Sequence, residues 1–178
     1  MLIKMFCRKS SIGSAERAEM QKLVIATRNP DKLREIRAIL QALPIKIVSS
    51  AELLPDFDVV EDQDTILGNA LKKALETAQA TGSYCLADDT GLYIQALDGE
   101  PGVFAARYAG KGCSYADNRH KVLKRMQHVS DRAAEFRTVM AVAEPEGIIG
   151  YREGIVKGFI TLIAVSYTHL TLPTILRV

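Results

Sequence analysis

The sequence is poor in cysteine. Cys7, Cys85 and Cys113 are odd in number, scattered, and never spaced as C-x-x-C. That excludes a disulfide framework and a structural zinc site, and it fits a reducing, cytoplasmic setting. No apolar stretch approaches the roughly 20 residues of a membrane-spanning helix. A formal charge of +2 over 178 residues is too small for an electrostatic nucleic-acid footprint. Neither G-x-G-x-x-G nor G-x-x-x-x-G-K-[ST] occurs, so the dinucleotide fingerprint and the P-loop are excluded. H-E-x-x-H is also missing; His120 and His128 stand on a predicted helix without clustered cysteine or acid and read as surface or core histidines. No internal repeat or low-complexity segment is present.

What remains is 48% hydrophobic and 25% charged, the balance of one soluble globular domain with a sizeable core. The basic lean belongs to the two ends: Lys4, Arg8, Lys9 and Arg17 outweigh Glu16 and Glu19, and Arg177 closes the chain. Residues 1–20 lack sustained periodicity and the apolar core of a signal peptide, and their two acids are wrong for a transit sequence. They are read as a mis-assigned N-terminal extension, with Met20 as the first natural residue. At the other end "VSYTHLTLPT" back-translates codon for codon to a common transposase adapter. Residues 164–178 are therefore read as an adapter-derived tail, and 21–163 as the domain, truncated at its C-terminus.

Along that domain, "KLVIAT" suits a short buried strand. Asn29 is a good N-cap, Pro30 suits the first helical position, and Asp31 complements the helix dipole. Leu33, Ile36, Ile39 and Leu40 then fall at helical spacing, and "IKIVSS" predicts a second strand. "AELLPDFDVVEDQD" is an acidic connection. Thr65–Gln79 is a predicted helix with Ile66, Ala70, Ala74 and Ala78 as its packed stripe, and Thr65, Asn69 and Lys73 along one edge. "YCLADD" predicts a third strand, "GLYIQAL" a fourth, and "GEPG" a loop. Tyr115–Gln127 is a predicted helix capped by Ser114, and "EFRTVMAVAEPEGIIGYREGIVKGFITL" predicts two strands joined near "EPEG". Alternating strands and helices, with an antiparallel portion at the end, predict an α/β fold.

Three stretches carry chemistry. In "ATRNPDK" a strand leads into a capped helix whose free backbone N–H groups suit phosphate, and Lys32 adds full charge. Asp88 and Asp89 follow an apolar strand, with Gly91 permitting a tight turn. Adjacent carboxylates repel unless a divalent cation or lysine neutralises them, and Mg²⁺ favours one or two acids plus substrate phosphates. Glu61 is a further candidate ligand and Lys73 a candidate partner for polyphosphate; two solvated loop acids are the competing reading. In "PGVFAARYAG" small residues allow close backbone approach, and Arg107 is read as a structural salt bridge. Cys85 is expected to be buried and inert.

In combination, "ATRNPDKLREI", "EDQDTILGNALKKA", "LADDTGL" and "GEPGVFAARYAG" resemble the inosine triphosphate pyrophosphatase family, whose patterns T-x-N-x-x-K, N-A-x-x-K-A, A-D-D-[ST]-G-L and P-G-x-x-[SA]-A-R-[YF] they match in order. "FRTVMAVA" extends the match to about Thr161. The resemblance implies a two-lobed mixed sheet flanked by helices with a central cleft, usually a homodimer. It implies Mg²⁺-dependent hydrolysis of non-standard purine triphosphates (ITP, dITP, XTP) to the monophosphate and pyrophosphate. Thr27, Arg28, Asn29, Pro30, Asp31 and Lys32 would hold the triphosphate, and Thr90 would contact substrate. Glu61 and Asp89 would hold the metal, Asp89 would act as base, and Lys73 would neutralise developing charge. Two departures stand out. Gly68 replaces the family's usual glutamate, and the F-G-[YW]-D-P, lysine and S-H-R segments expected after Thr161 are missing, which implies lost base selectivity and impaired turnover. A pyrophosphatase for other triphosphates and a non-catalytic nucleotide-binding module are the alternative functions.

Overall fold

The computed structural model describes residues 21–162 and 176–177. The readings of residues 1–20 and of the adapter-like run lie outside them. The elements are β1 (Gln21–Ile25), α1 (Pro30–Leu40), β2 (Ile45–Ser49), α2 (Ser50–Leu53), α3 (Ile66–Thr81), β3 (Tyr84–Ile94), β4 (Pro101–Gly102), α4 (Tyr115–Arg125), β5 (Ala133–Glu144), β6 (Gly147–Ile160) and β7 (Leu176–Arg177). One mixed sheet runs β2-β1-β3-β5-β6-β7, with β4 appended to β3. β1 pairs in parallel with β2 and β3; β5 runs antiparallel to both of its neighbours, β3 and β6.

Helix ends follow the local chemistry. Thr65 accepts from the Gly68 N–H at 3.0 Å and opens α3, and Gly82 in the left-handed region (φ 59°) closes it. Ser114 and Asp117 form a reciprocal capping box at the start of α4. Among the described residues no helix is long and apolar enough to cross a membrane.

The alanine stripe of α3 lets the helix lie close on the sheet. Ala70, Ala74 and Ala78 pack on Ala26, Cys85, Ala87, Val139, Ala141 and Ala143. On the opposite face α1 covers Leu23 and Ile25 through Ile36, with Leu86 alongside. Farther along β3, on that same face, Leu92 and Ile94 join Val122 and Met126 of α4 and Phe136 of β5. Side chains alternate along a strand, so Asp88 and Thr90 fall between the α1 cluster and the α4 cluster. That interval is the cleft separating two lobes.

One expectation needs correcting. "YCLADD" and "GLYIQAL" do not form separate strands; Tyr84–Ile94 is continuous, and Gly91 lies inside it rather than in a turn. A Cβ at Gly91 would stand 2.9 Å from the Gly102 carbonyl oxygen and 2.7 Å from the Tyr93 ring. Glycine there serves the close approach of β4, a need that in sequence looks identical to a turn signal. The acid pair consequently lies within β3. It is β1 that stops, at Ile25 beside Leu86.

Cys85 is fully buried, and desolvation pushes its thiol up to about 12 from 9.0. A thiol raised in the folded state contributes stability that is complete below its unfolded value and is lost as pH climbs through the folded one. Iodoacetamide at pH 8 should therefore label the partly exposed Cys113 and spare Cys85 until the chain unfolds, as peptide mapping will show. Rapid native labelling of Cys85 would contradict this burial.

Candidate active site

Because β3 outruns β1, its two carboxylates emerge where the parallel part of the sheet has ended. There the chain leaves β1 through Ala26–Asn29 and enters α1. Asn29 Oδ1 accepts from the Lys32 N–H at 3.3 Å, Thr27 Oγ1 accepts from the Asn29 N–H at 3.2 Å, and Ser49 Oγ donates to the Thr27 carbonyl at 3.0 Å. This loop is thereby held against the start of α2.

A cavity of about 250 Å³ opens on it, lined among others by Thr27, Arg28, Asn29, Lys32, Glu61, Lys73 and Asp88. A broader recess of about 700 Å³ adjoins it, sharing Asp58, Val59 and Glu61 and adding Arg107 and Lys111. Tyr115, the first residue of α4, reaches the first cavity from the other lobe.

Six of the expected site residues thus share one cavity system: Thr27, Arg28, Asn29, Lys32, Glu61 and Lys73. Pro30 is exposed at the start of α1, and the backbone of Asp31 lies in its first turn. Asp89 and Thr90 do not line that cavity. Asp88 does, buried to 8% exposure and ion-paired with Lys32. Thr90, two residues on, exchanges a hydroxyl hydrogen bond with Thr138 at 2.9 Å.

Asp89 occupies the α3 side of the same strand. Its Oδ2 accepts from Asn69 Nδ2 at 3.1 Å and its Oδ1 from the Thr90 N–H at 2.9 Å. Burial pushes its carboxyl above the ordinary range, and the negative charge of Glu61 pushes it further; Asn69, Lys73 and the Thr90 N–H oppose the rise. Glu61 in turn accepts from Lys73 Nζ at 2.6 Å, and Arg107 grips it through the backbone carbonyl at 3.1 Å and the carboxylate at 3.9 Å. Arg107 is thus the salt-bridge residue expected, and its partner is Glu61.

Arg28 is already engaged. Both Pro55 and Phe57 carbonyls accept from its Nη2 at 2.8 Å, tying the acidic connection over the cavity. Asn69, Phe57 and Tyr115 were not assigned roles from sequence, and Asp88 only as half of the acid pair. For Asn69 a signal existed, its i, i+4 spacing to Lys73; for Tyr115 none did, since only the approach of the two lobes brings it near.

A buried carboxylate whose proton affinity the nearby Glu61 charge raises, beside cavity-lining cations, suits a divalent ion that arrives with phosphate. Among the described residues no cluster of three or more His, Cys, Asp or Glu forms a cage. Magnesium commonly takes only one or two carboxylates and completes its shell with water and substrate phosphates. Glu61 and Asp89 fit that pattern.

Gly68 also has a structural account. A Cβ there would stand 2.8 Å from Gln63 Cβ and 3.2 Å from Thr65 Oγ1. Gly68→Ala gains roughly 1 kcal/mol of helix propensity but forces the segment after Glu61 outward. Thermal denaturation should show no gain in stability, with a net loss of about 1 kcal/mol where overpacking prevails.

A profile of the Ham1 family matches residues 23–166. The dITP/XTP pyrophosphatase of Geobacter sulfurreducens is 49% identical over 131 residues, 72% of this chain and 65% of that protein. The dITP/XTP pyrophosphatase of Desulforamulus reducens is 43% identical over 141 residues, 78% of this chain and 70% of that protein. The chain therefore spans roughly two thirds of the length of these relatives. Among solved structures, the Ham1 protein of Staphylococcus aureus superposes with a TM-score of 0.78 at 33% identity, covering 89% of this chain and 81% of that one. A HAM1 protein from Coxiella burnetii gives 0.79 at 34%, covering 88% and 81%.

Proposed function

From the premise that the chain belongs to the Ham1 family, we propose that it hydrolyses non-standard purine nucleoside triphosphates such as dITP, ITP and XTP to the monophosphate and pyrophosphate. The observation that carries this reading is the convergence of the α1 N-terminus, Lys32, Lys73 and Glu61 on one cavity, with Asp89 outside its lining but within the electrostatic reach of Glu61 and Lys73. That the two relatives are dITP/XTP pyrophosphatases supports the substrate class.

The Thr27–Lys32 segment binds the triphosphate through backbone N–H groups and the Lys32 ammonium. Glu61 and Asp89 would hold a magnesium ion, which would supply polarisation of the phosphoryl oxygens. Asp89 orients a water against the α-phosphorus and takes its proton; the bond from the α-phosphorus to the bridging oxygen breaks, and pyrophosphate leaves with that electron pair. Lys73 offsets the charge gathering on the leaving group. Thr90, on the cleft face of β3, contacts substrate.

The homodimer belongs to the same proposal. Ile148, Tyr151, Ile155 and Phe159 on one face of β6 expose 41 to 63% of their surface, an apolar row suited to a second copy, and sedimentation equilibrium reads the stoichiometry. For the activity, pyrophosphate release is measured from ITP, XTP, dITP, ATP and GTP with Mg²⁺. Measured on a chain that also carries the segments expected after Thr161, preference for the first three supports the reading; equal turnover of all five, or of none, contradicts it.

A further inference from the structure

We propose that Asn69 is a positioning residue that sets the spacing between the two acids read above as metal ligands, an inference that rests on that reading. Asn69 is 1% exposed and immediately precedes Ala70 of the alanine stripe on α3. Its Oδ1 accepts from the Gln63 backbone N–H at 3.0 Å. A backbone N–H can only donate, so the orientation of the amide is determined: oxygen toward Gln63, nitrogen toward Asp89. The Nδ2 then donates to Asp89 Oδ2 at 3.1 Å.

With the Thr90 N–H on Oδ1, each oxygen of Asp89 receives one N–H, and the plane of the carboxylate is pinned. Gln63 lies two residues past Glu61. One buried side chain therefore joins the loop carrying Glu61 to the strand carrying Asp89, while Arg107 holds the Glu61 carbonyl from the far side. Misplacing reacting groups by about an ångström costs on the order of 10²-fold in rate.

Asn69→Asp separates this role from simple loop anchoring. The new carboxylate still accepts from the Gln63 N–H, but it cannot donate to Asp89 and adds a like charge beside it. The geometry predicts a kcat about 10²-fold below wild type with KM changed by less than about threefold. It also predicts Mn²⁺ binding to the substrate-free protein, by calorimetry, about tenfold tighter than wild type, because a third carboxylate joins Glu61 and Asp89.

Asn69→Ser, uncharged and too short to span both partners, is the second variant. Folded and melting within a few degrees of wild type, it should lose kcat similarly and gain no Mn²⁺ affinity. Wild-type kcat in either folded variant overturns the proposal, as does unchanged Mn²⁺ affinity in a folded Asn69→Asp. A wild-type protein inactive on every triphosphate would sink the functional reading instead, and the Mn²⁺ titration would still decide where Asn69 places its partner.

Discussion

Asp89→Asn is expected to cut pyrophosphate release by about 10³-fold or more and, in the metal-free protein, to raise the melting temperature. The two effects share one cause. Asp89 is ionised in its working state, yet burial and the Glu61 charge both disfavour that ionisation when no cation lies between them. A carboxyl raised in the folded state contributes stability that is complete below its unfolded value and is lost as pH rises through the folded one. At neutral pH the wild type therefore carries a charge penalty that asparagine lacks, and the rise requires this to exceed the cost of replacing one Asp89 acceptor by an amide donor opposite Asn69 Nδ2 or the Thr90 N–H. Differential scanning calorimetry in EDTA should show the variant melting higher at pH 7. The gap should narrow as pH falls below the ordinary carboxylate range, where Asp89 is protonated folded or unfolded. A variant that melts lower at pH 7, or that keeps wild-type turnover, would contradict the role assigned to Asp89. Exchange of stability for function at a charged site is a general pattern.

Lys73→Met is expected to lower kcat by roughly 10²- to 10³-fold, the magnitude found when one donor to developing charge is removed. Lys73 is an interior cation, its side chain 17% exposed and 2.6 Å from Glu61. Methionine keeps the stem packed against α3 and deletes only the charge. Glu61 and Asp89 then face each other with Arg107 as the nearest remaining counter-charge on Glu61, at 3.9 Å. Stability should fall by about 1–2 kcal/mol, less than for a fully buried pair because Glu61 is a third exposed. Steady-state kinetics at saturating Mg²⁺ distinguish the roles: loss confined to KM would mean that Lys73 serves binding alone. Urea denaturation gives the stability arm.

Much of the fold could be read from local pattern, because capping and periodicity are local physics. Asn29-Pro30 opened α1, Ser114 capped α4 where expected, and "EPEG" joined β5 to β6; Thr65, expected as the first residue of α3, is its cap. The alanines at Ala70, Ala74 and Ala78 specified the face of α3 that meets the sheet. Order and spacing of the four motifs likewise pointed to the family, and the match over residues 23–166 agrees.

The division of labour within the acid pair was not legible. Adjacent residues of a strand point to opposite faces, but "LADDTGL" does not say which face holds which helix. Only the packing of α1 and α3 on the two sides of β3 sends Asp88 to Lys32 and Asp89 to Asn69. Gly91 shows the same limit, since a glycine needed for a turn and one needed for a neighbouring backbone read alike until β4 is seen against it. The sequence by itself determined which segments become helix and strand and which side chains can bind phosphate or metal. Tertiary structure alone decided which partner each acid of the pair meets, because Lys32 lies 56 positions from Asp88 and Asn69 lies 20 from Asp89, and the two meet their partners only where one strand outruns its neighbour.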